Sequence, residues 1–174
     1  MPMPTDLRAH IRDVPDFPKP GILFKDITPL LGDPEALRAA VDSLAAEFGG
    51  GQVDLVAAAE ARGFLFGTPL ALALNVGFVP IRKPGKLPYK TVTETYDLEY
   101  GTDRLEMHAD AIAPGRRVLI LDDVLATGGT MSACCKLVEG AGGVVVACAF
   151  VVELGFLVGR KALGDRRIFS LVDY

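Results

Sequence analysis

Cysteine is scarce: Cys134, Cys135 and Cys148 are the only three in 174 residues. An odd number, two of them adjacent, gives neither a disulfide framework nor a zinc-ligand spacing. They read as packed thiols in a reducing compartment. No apolar run reaches the ~20 residues of a membrane span, and the N-terminal MPMPTDLRAHIRDVPDF lacks the apolar core of a signal peptide. Positive charge is not in excess: 18 Lys and Arg face 22 Asp and Glu, for a net charge of −4. That balance excludes general affinity for nucleic acid or acidic membranes, but not a local basic cluster that binds a small anion. Internal repeats, linkers and low-complexity tracts are also missing. His10 and His108 have no partner pattern and read as surface or cap residues. What remains is a soluble, cytoplasmic, single domain over residues 1–174. A chain of this length buries roughly 70% of its unfolded surface and needs no covalent staple.

What is present alternates between helix and strand. In GDPEALRAAVDSLAAEFGG, Asp33 is placed to cap, Pro34 fits the first turn, and Leu37, Val41, Leu44 and Phe48 share one face. VDLVAAA (53–59), VGFVPIRK, RRVLIL and VVVACAFVV (144–152) read as buried strands, and RIFSLVDY as a closing one. FLFGTPLALALN reads as a helix weakened at Pro69. GTMSACCKLVEGAGG reads as a helix with Met131, Cys134, Cys135 and Val138 on one stripe. Apolar strands alternating with helices imply an α/β fold, a parallel twisted sheet flanked by helices. Ligands of such sheets bind beyond the carboxyl ends of the strands. Residues 1–32, Pro84 to His108, and the segment after Glu153 resist the pattern. They are expected as loops or a cap above the sheet edge.

The most informative stretch is VLILDDVLATGGT, Val118 to Thr130. Val118–Leu121 reads as strand, which puts Asp122 and Asp123 at its carboxyl end. A helix is expected from Gly129 or Thr130. The small residues Ala126, Gly128 and Gly129 let backbone approach a phosphate, and N–H groups at a helix start favour an anion. Thr127 and Thr130 add hydroxyls. No Lys follows the glycines and Gly-x-Gly-x-x-Gly is absent, so neither a Walker loop nor a dinucleotide fingerprint is present. Two acids beside a phosphate nest make sense if the ligand also carries vicinal hydroxyls or a divalent cation, and a ribose 5-phosphate has such features. Two further segments fit an anion. EARGF (60–64) sets Arg62 beside a glycine after a strand. IRKPGKLP gathers Arg82, Lys83 and Lys86 at the end of another. YKTVTETYDLEYGTDRLEMH alternates β-branched or aromatic with polar residues, as an exposed hairpin does.

VLILDDVLATGGT resembles the phosphoribosyl-pyrophosphate motif of type I phosphoribosyltransferases, and the chain is similar to the adenine-specific branch of that family. VPDFPKPGILFKDITPLL, ARGFLFG, IRKPGKLP, LEYG, DDVLATGGT and VVEL occur in family order over nearly the whole chain. The resemblance implies the type I phosphoribosyltransferase fold, with a small hood from about 1–32 and 153–174 and a mobile loop over about 84–108. It implies transfer of ribose 5-phosphate from phosphoribosyl pyrophosphate to adenine, giving AMP and pyrophosphate, with Mg²⁺ held mainly by the substrate, and a homodimer. It assigns Arg62, Lys83 and Lys86, with Arg82, to pyrophosphate, some of them across the dimer interface, and makes Arg62 catalytic together with Glu99. Asp122 and Asp123 would take the ribose, and Ala126, Thr127, Gly128, Gly129 and Thr130 the 5′-phosphate. Glu99 and Tyr100 belong to the closing loop, with Glu99 the acid/base for the purine. Leu23, Phe24, Lys25 and Leu154 match the adenine contacts. Lys25 stands where the family often has Arg, which preserves backbone readout of the base but weakens a stacking or charge role. Two other readings stay open: a xanthine or hypoxanthine–guanine enzyme, and a phosphoribosyl-pyrophosphate-sensing regulator. Ala126, where 6-oxopurine enzymes typically carry aspartate, disfavours the hypoxanthine version. A pI near 5.2 and the lack of spare length disfavour the regulator.

Overall fold

The computed structural model describes residues 6–97 and 101–174, so Glu99 and Tyr100 lie outside the described residues. A 3₁₀ turn (Leu7–His10) leads into an antiparallel hairpin of β1 (Arg12–Pro15) and β2 (Leu23–Asp26). Next come the short α1 (Thr28–Gly32), α2 (Pro34–Phe48), β3 (Leu55–Ala59), α3 (Arg62–Leu74) and β4 (Gly77–Ile81). A second antiparallel hairpin follows, β5 (Thr91–Asp97) and β6 (Thr102–His108), then β7 (Arg117–Leu125), α4 (Gly129–Gly140) and β8 (Val144–Glu153). Two 3₁₀ turns (Gly155–Leu157, Gly159–Leu163) and β9 (Ile168–Asp173) complete the order.

The central sheet runs β4-β3-β7-β8-β9, with every adjacent pair parallel. Apolar strands without polar alternation need cover on both faces, and each face has its own core. Leu119 and Leu121 of β7 pack with Leu44 and Phe48 of α2 and with Phe66 and Leu70 of α3. Val118 and Ile120 pack on the other side with Met131, Cys134, Cys135 and Val138 of α4 and with Leu105 and Met107 of β6. Strand alternation thus assigns successive β7 residues to opposite layers. Because β3 is followed by α3 and β7 by α4, the two helices leave the sheet on opposite faces. Their first turns flank a crevice between these neighbouring strands, as expected at a topological switch point.

Local chemistry accounts for the helices. The Asp33 carboxylate accepts from the N–H groups of Glu35 and Ala36 at 2.9 Å each, which caps α2. In α3, Pro69 is accommodated inside a continuous helix. A Cβ on Gly67 would lie 2.8 Å from the Phe78 ring, so the glycine permits the close seating of α3 on the sheet. Pro80 sits in β4, an edge strand, where its missing donor costs no interior ladder bond.

Three expectations are corrected. The strand at Val118 does not stop at Leu121 but runs to Leu125, because β8 keeps pairing with it through Leu125↔Glu153 after β3 has ended at Ala58↔Leu121. Ile168–Asp173, expected with the hood, is the fifth strand of the sheet, and its half-buried side chains and Val172 pack there. Within residues 1–32, Ile11, Ile27 and Leu30 are buried in the core beside α2, so this segment caps the sheet and also completes its packing.

Candidate active site

Two cavities open where β3 and β7 end. The first, about 360 Å³, is lined by Leu23, Phe24 and Lys25 of β2, by Leu125 to Met131, and by Phe150, Leu154 and Leu157. The second, about 350 Å³, is lined by Glu60, Ala61, Lys83, Tyr96 and Leu105. Arg62, Asp122, Asp123 and Thr130 line both, so the two form one continuous site joined at the acid pair. Each volume falls in the range of small-molecule sites.

The loop after β7 is shaped by packing. Gly128 has φ +86°, and a Cβ on it would fall 2.4 Å from the carbonyl oxygen of Gly159. A Cβ on Gly159 would fall 2.3 Å from the carbonyl of Ala126. The requirement for glycine at 128 therefore comes from the left-handed backbone and the contact with the 3₁₀ turn Gly159–Leu163, beyond any need for approach by a ligand. The loop then enters α4 with no side-chain cap. Gly128 to Met131, at the start of α4, line the first cavity, and the first N–H groups of an α-helix have no partner within it, which suits an anion. α3 likewise starts at Arg62 without a side-chain cap.

The acid pair is asymmetric. Asp123 is 4% exposed, and its carboxylate meets Arg62 Nε at 2.6 Å. Asp122 Oδ1 accepts the Asp123 N–H at 2.9 Å, and among the described residues its carboxylate forms no ion pair, with Arg62 acting on it only through its charge. Burial of its carboxyl, and then the neighbouring Asp123 charge, push Asp122 well above the usual carboxylate range. Residue-level exposure puts Asp122 as only partly covered. The carboxyl group itself sits against the α3 backbone, where a Cβ on Gly63 would come within 3.1 Å of Oδ1.

The basic residues are each matched to an acid. Glu60 Oε2 accepts from Arg82 Nε at 2.8 Å, and Oε1 accepts from the Lys83 N–H at 3.0 Å and Lys86 Nζ at 2.9 Å. Burial works against the charge of Glu60, but bonds from Lys86, the Lys83 N–H and Arg82 hold its carboxyl below the usual range. The Lys83 ammonium pairs with Asp103, which also accepts from the Tyr96 hydroxyl at 3.2 Å. Of the four expected cations, Arg62 and Lys83 line the second cavity; Arg82 and Lys86 connect to it through Glu60.

The first cavity's outer wall is apolar and tied to the sheet. The Leu154 N–H donates to the Leu125 carbonyl at 2.9 Å. Beside it, buried Glu153 bonds Arg160 and Ser170, and Arg160 holds its carboxyl below the usual range. Phe24 stacks edge-on with Phe17 at 5.2 Å, and the Arg62 guanidinium lies 5.7 Å above its ring. The Lys25 ammonium meets Asp13 at 2.6 Å and the Tyr174 ring at 3.7 Å, so its charge is satisfied within the hood.

The structure thus gathers Arg62, Lys83, Asp122, Asp123, Ala126 to Thr130, Leu23, Phe24, Lys25 and Leu154 around one site. Sequence reasoning missed Glu60, Tyr96 and Asp103. Glu60 was visible as the acid opening EARGF, directly before the assigned arginine; Tyr96 and Asp103 become neighbours only through the hairpin register Tyr96↔Asp103.

Residues 31–172 match the family model of the phosphoribosyl transferase domain. The chain is 61% identical over 168 residues to an adenine phosphoribosyltransferase of Methylococcus capsulatus, covering 97% of this chain and 98% of that one. It is 57% identical over 169 residues to that of Rhodopirellula baltica, covering 97% and 82%. A solved adenine phosphoribosyltransferase from Thermoanaerobacter pseudethanolicus superimposes with a TM-score of 0.94 at 56% identity, over 97% of this chain and 98% of that one. The Saccharomyces cerevisiae enzyme, solved with an imino-altritol bisphosphate and adenine, superimposes with a TM-score of 0.90 at 42% identity, covering 95% and 96%.

Proposed function

The chain belongs to the adenine phosphoribosyltransferases, which transfer ribose 5-phosphate from phosphoribosyl pyrophosphate to adenine in purine salvage, giving AMP and pyrophosphate, and on that premise we propose how its joined cavities divide the substrates. The carrying observation is the junction: a nest-and-apolar cavity and a cationic cavity meet at two carboxylates. The N–H groups of Thr127 to Thr130 take the 5′-phosphate, with the threonine hydroxyls as further donors. Asp122 and Asp123 accept from the ribose hydroxyls. Arg62 and Lys83, with Lys86 and Arg82 gathered by Glu60, face the pyrophosphate.

Breaking the bond at C1′ puts positive charge on the ribose and negative charge on the departing pyrophosphate. Fixed cations at one end and acids at the other stabilise that separation. The purine lies between Phe24 and Leu154, read by the backbone of Leu23 to Lys25. Glu99 takes the proton that the attacking purine loses. The outer part of the segment over 84–108, with Tyr100, closes to exclude the water that would hydrolyse the cationic ribose, while its β6 end stays in the core through Leu105 and Met107.

The oxygen donors at the junction, the two carboxylates and the Thr130 hydroxyl, suit a hard cation that draws most of its ligands from substrate phosphates and water. Such a cation, Mg²⁺ in this reading, would offset charge on the pyrophosphate when bound. Leu65 and Leu72, exposed by 45% and 77% one heptad apart on α3, support a homodimer. The three free, buried thiols support a cytoplasmic location, and no helix among the described residues is long and apolar enough to cross a membrane. The test is to offer each purine with phosphoribosyl pyrophosphate and Mg²⁺ and to identify the nucleotide formed. AMP from adenine is expected; preferential formation of a 6-oxopurine nucleotide would overturn the base assignment.

A further inference from the structure

Glu60, Asp122 and Asp123 line the cationic cavity and Asp103 stands beside it; three of these four acids have evident tasks, since Asp122 and Asp123 are read as the ribose acids, Asp123 also meets Arg62, and Asp103 ties Lys83 to the β5–β6 hairpin. Glu60 differs. Its side chain is only 7% exposed, yet it carries charge beside a cavity read as the pyrophosphate subsite. A buried carboxylate there would repel a polyanion unless its charge were spent on cations. All three of its donors come from one loop, at Arg82, Lys83 and Lys86.

The loop is also held from the opposite side. Arg82 exchanges backbone hydrogen bonds with Glu106 at 2.9 and 2.7 Å, and the Gly85 N–H donates to the Glu106 carboxylate at 3.2 Å. These bonds secure the main chain without touching any cationic side chain. Fixing the backbone therefore does not account for the two side-chain ion pairs of Glu60. Their effect is to bring two like charges onto one carboxylate, where they would otherwise move apart into solvent: Lys86 is 49% exposed and Arg82 35%.

We propose that Glu60 is a positioning residue for pyrophosphate: it orients Lys83 into the cavity through its backbone N–H and keeps Arg82 and Lys86 gathered beside it. The assignment rests on the pyrophosphate reading of the second cavity. It touches no reacting atom and acts through the cations. It predicts a split that a purely structural role would not produce, since AMP occupies the nest and base cavity alone.

The experiment is calorimetric titration of the full chain with inorganic pyrophosphate at fixed Mg²⁺ and, separately, with AMP. Glu60→Gln keeps an acceptor for the Lys83 N–H but loses the charge. It should weaken pyrophosphate roughly 10-fold, the scale of losing one charge-assisted bond, and leave AMP within about twofold. Glu60→Asp keeps the charge but is too short to bridge both cations, and should show a smaller loss of the same kind. This milder variant carries the test if Glu60→Gln does not fold. Equal losses for both ligands, no loss for pyrophosphate, or a gain in its affinity would overturn the proposal. Arg62→Ala separates the two readings. If it weakens pyrophosphate while both Glu60 variants do not, the subsite stands and the role of Glu60 is wrong. If neither Arg62→Ala nor the Glu60 variants weaken pyrophosphate, the subsite itself is wrong.

Discussion

Arg62 Nε lies 2.6 Å from Oδ2 of Asp123, so the cation assigned to pyrophosphate is neutralised by an acid assigned to the ribose. One ion pair thereby spans the boundary between the halves of the site, and binding a phosphorylated sugar requires the guanidinium to share or exchange partners.

Removing that guanidinium strands a carboxylate whose side chain is 6% exposed. Arg62→Ala should lower thermal stability by about 1 kcal/mol; Arg62 is half exposed, which keeps the loss below the ~3–5 kcal/mol of a fully buried pair. Adding Asp123→Asn should recover most of the stability and none of the activity. Thermal melts of the two single variants and the double variant check this, and additive losses would refute the pairing.

Asp122 gives a stability prediction whose sign depends on pH. Its carboxyl is raised in the folded state above the reference 3.8, so the fold favours the protonated form. Folding bears no penalty below the reference value and a growing one as pH climbs through the folded-state value. Asp122→Asn should match wild-type stability near pH 4 and exceed it at pH 8, while turnover collapses. Melting temperatures across that range decide it: a gap that closes as pH rises would reverse the assignment.

At Gly128, alanine meets both a left-handed backbone and the Gly159 carbonyl. Gly128→Ala should cost about 2–5 kcal/mol, from roughly 1–2 for the backbone and 1–3 for overpacking. Gly115, at φ +81° in the turn closed by the Arg116 N–H on the Ala113 carbonyl and with nothing within 4 Å of an added Cβ, provides the comparison, and Gly115→Ala should show the backbone cost alone. Denaturant unfolding of the two variants separates the terms.

For Glu99, replacement by Gln removes proton transfer but keeps the size of the side chain. We expect kcat to fall by about 10²–10⁴ with little change in substrate affinity. A kcat within about threefold of wild type, with chemistry shown to be rate-limiting, would leave the 99–100 pair as a lid only.

Much of this was legible in the chain. Repeating apolar periods located α2 and α4, which bury one face, and continuous apolar runs located the strands, which are covered on both. The end of β7 was not legible: two acids interrupt the apolar run, and only the longer partner β8 keeps Asp122 to Leu125 in strand. β9 was seen as a strand, but its place in the sheet depends on pairing with β8, which local pattern does not encode. At the site, the nest and the acid pair were readable because a phosphate and a diol demand those residue types. The ion-pair partners were not, since Glu60 meets Lys86 across 26 positions and Lys83 meets Asp103 across 20. Lys25 was read for its backbone, and its ammonium is engaged by Asp13 and Tyr174.

Neither Gly128 nor Gly159 has room for a Cβ, and what stands in the way is backbone, the Gly159 carbonyl for the one and the Ala126 carbonyl for the other, which no substitution removes. A change at one position therefore has no compensating change at its counterpart. Most packed pairs can drift through evolution by trading volume, large for small; this pair has nothing to trade. The loop after β7 and the turn some thirty residues later are inherited as a single block, and grafting either onto another scaffold without its mate should fail even where each sequence alone looks compatible.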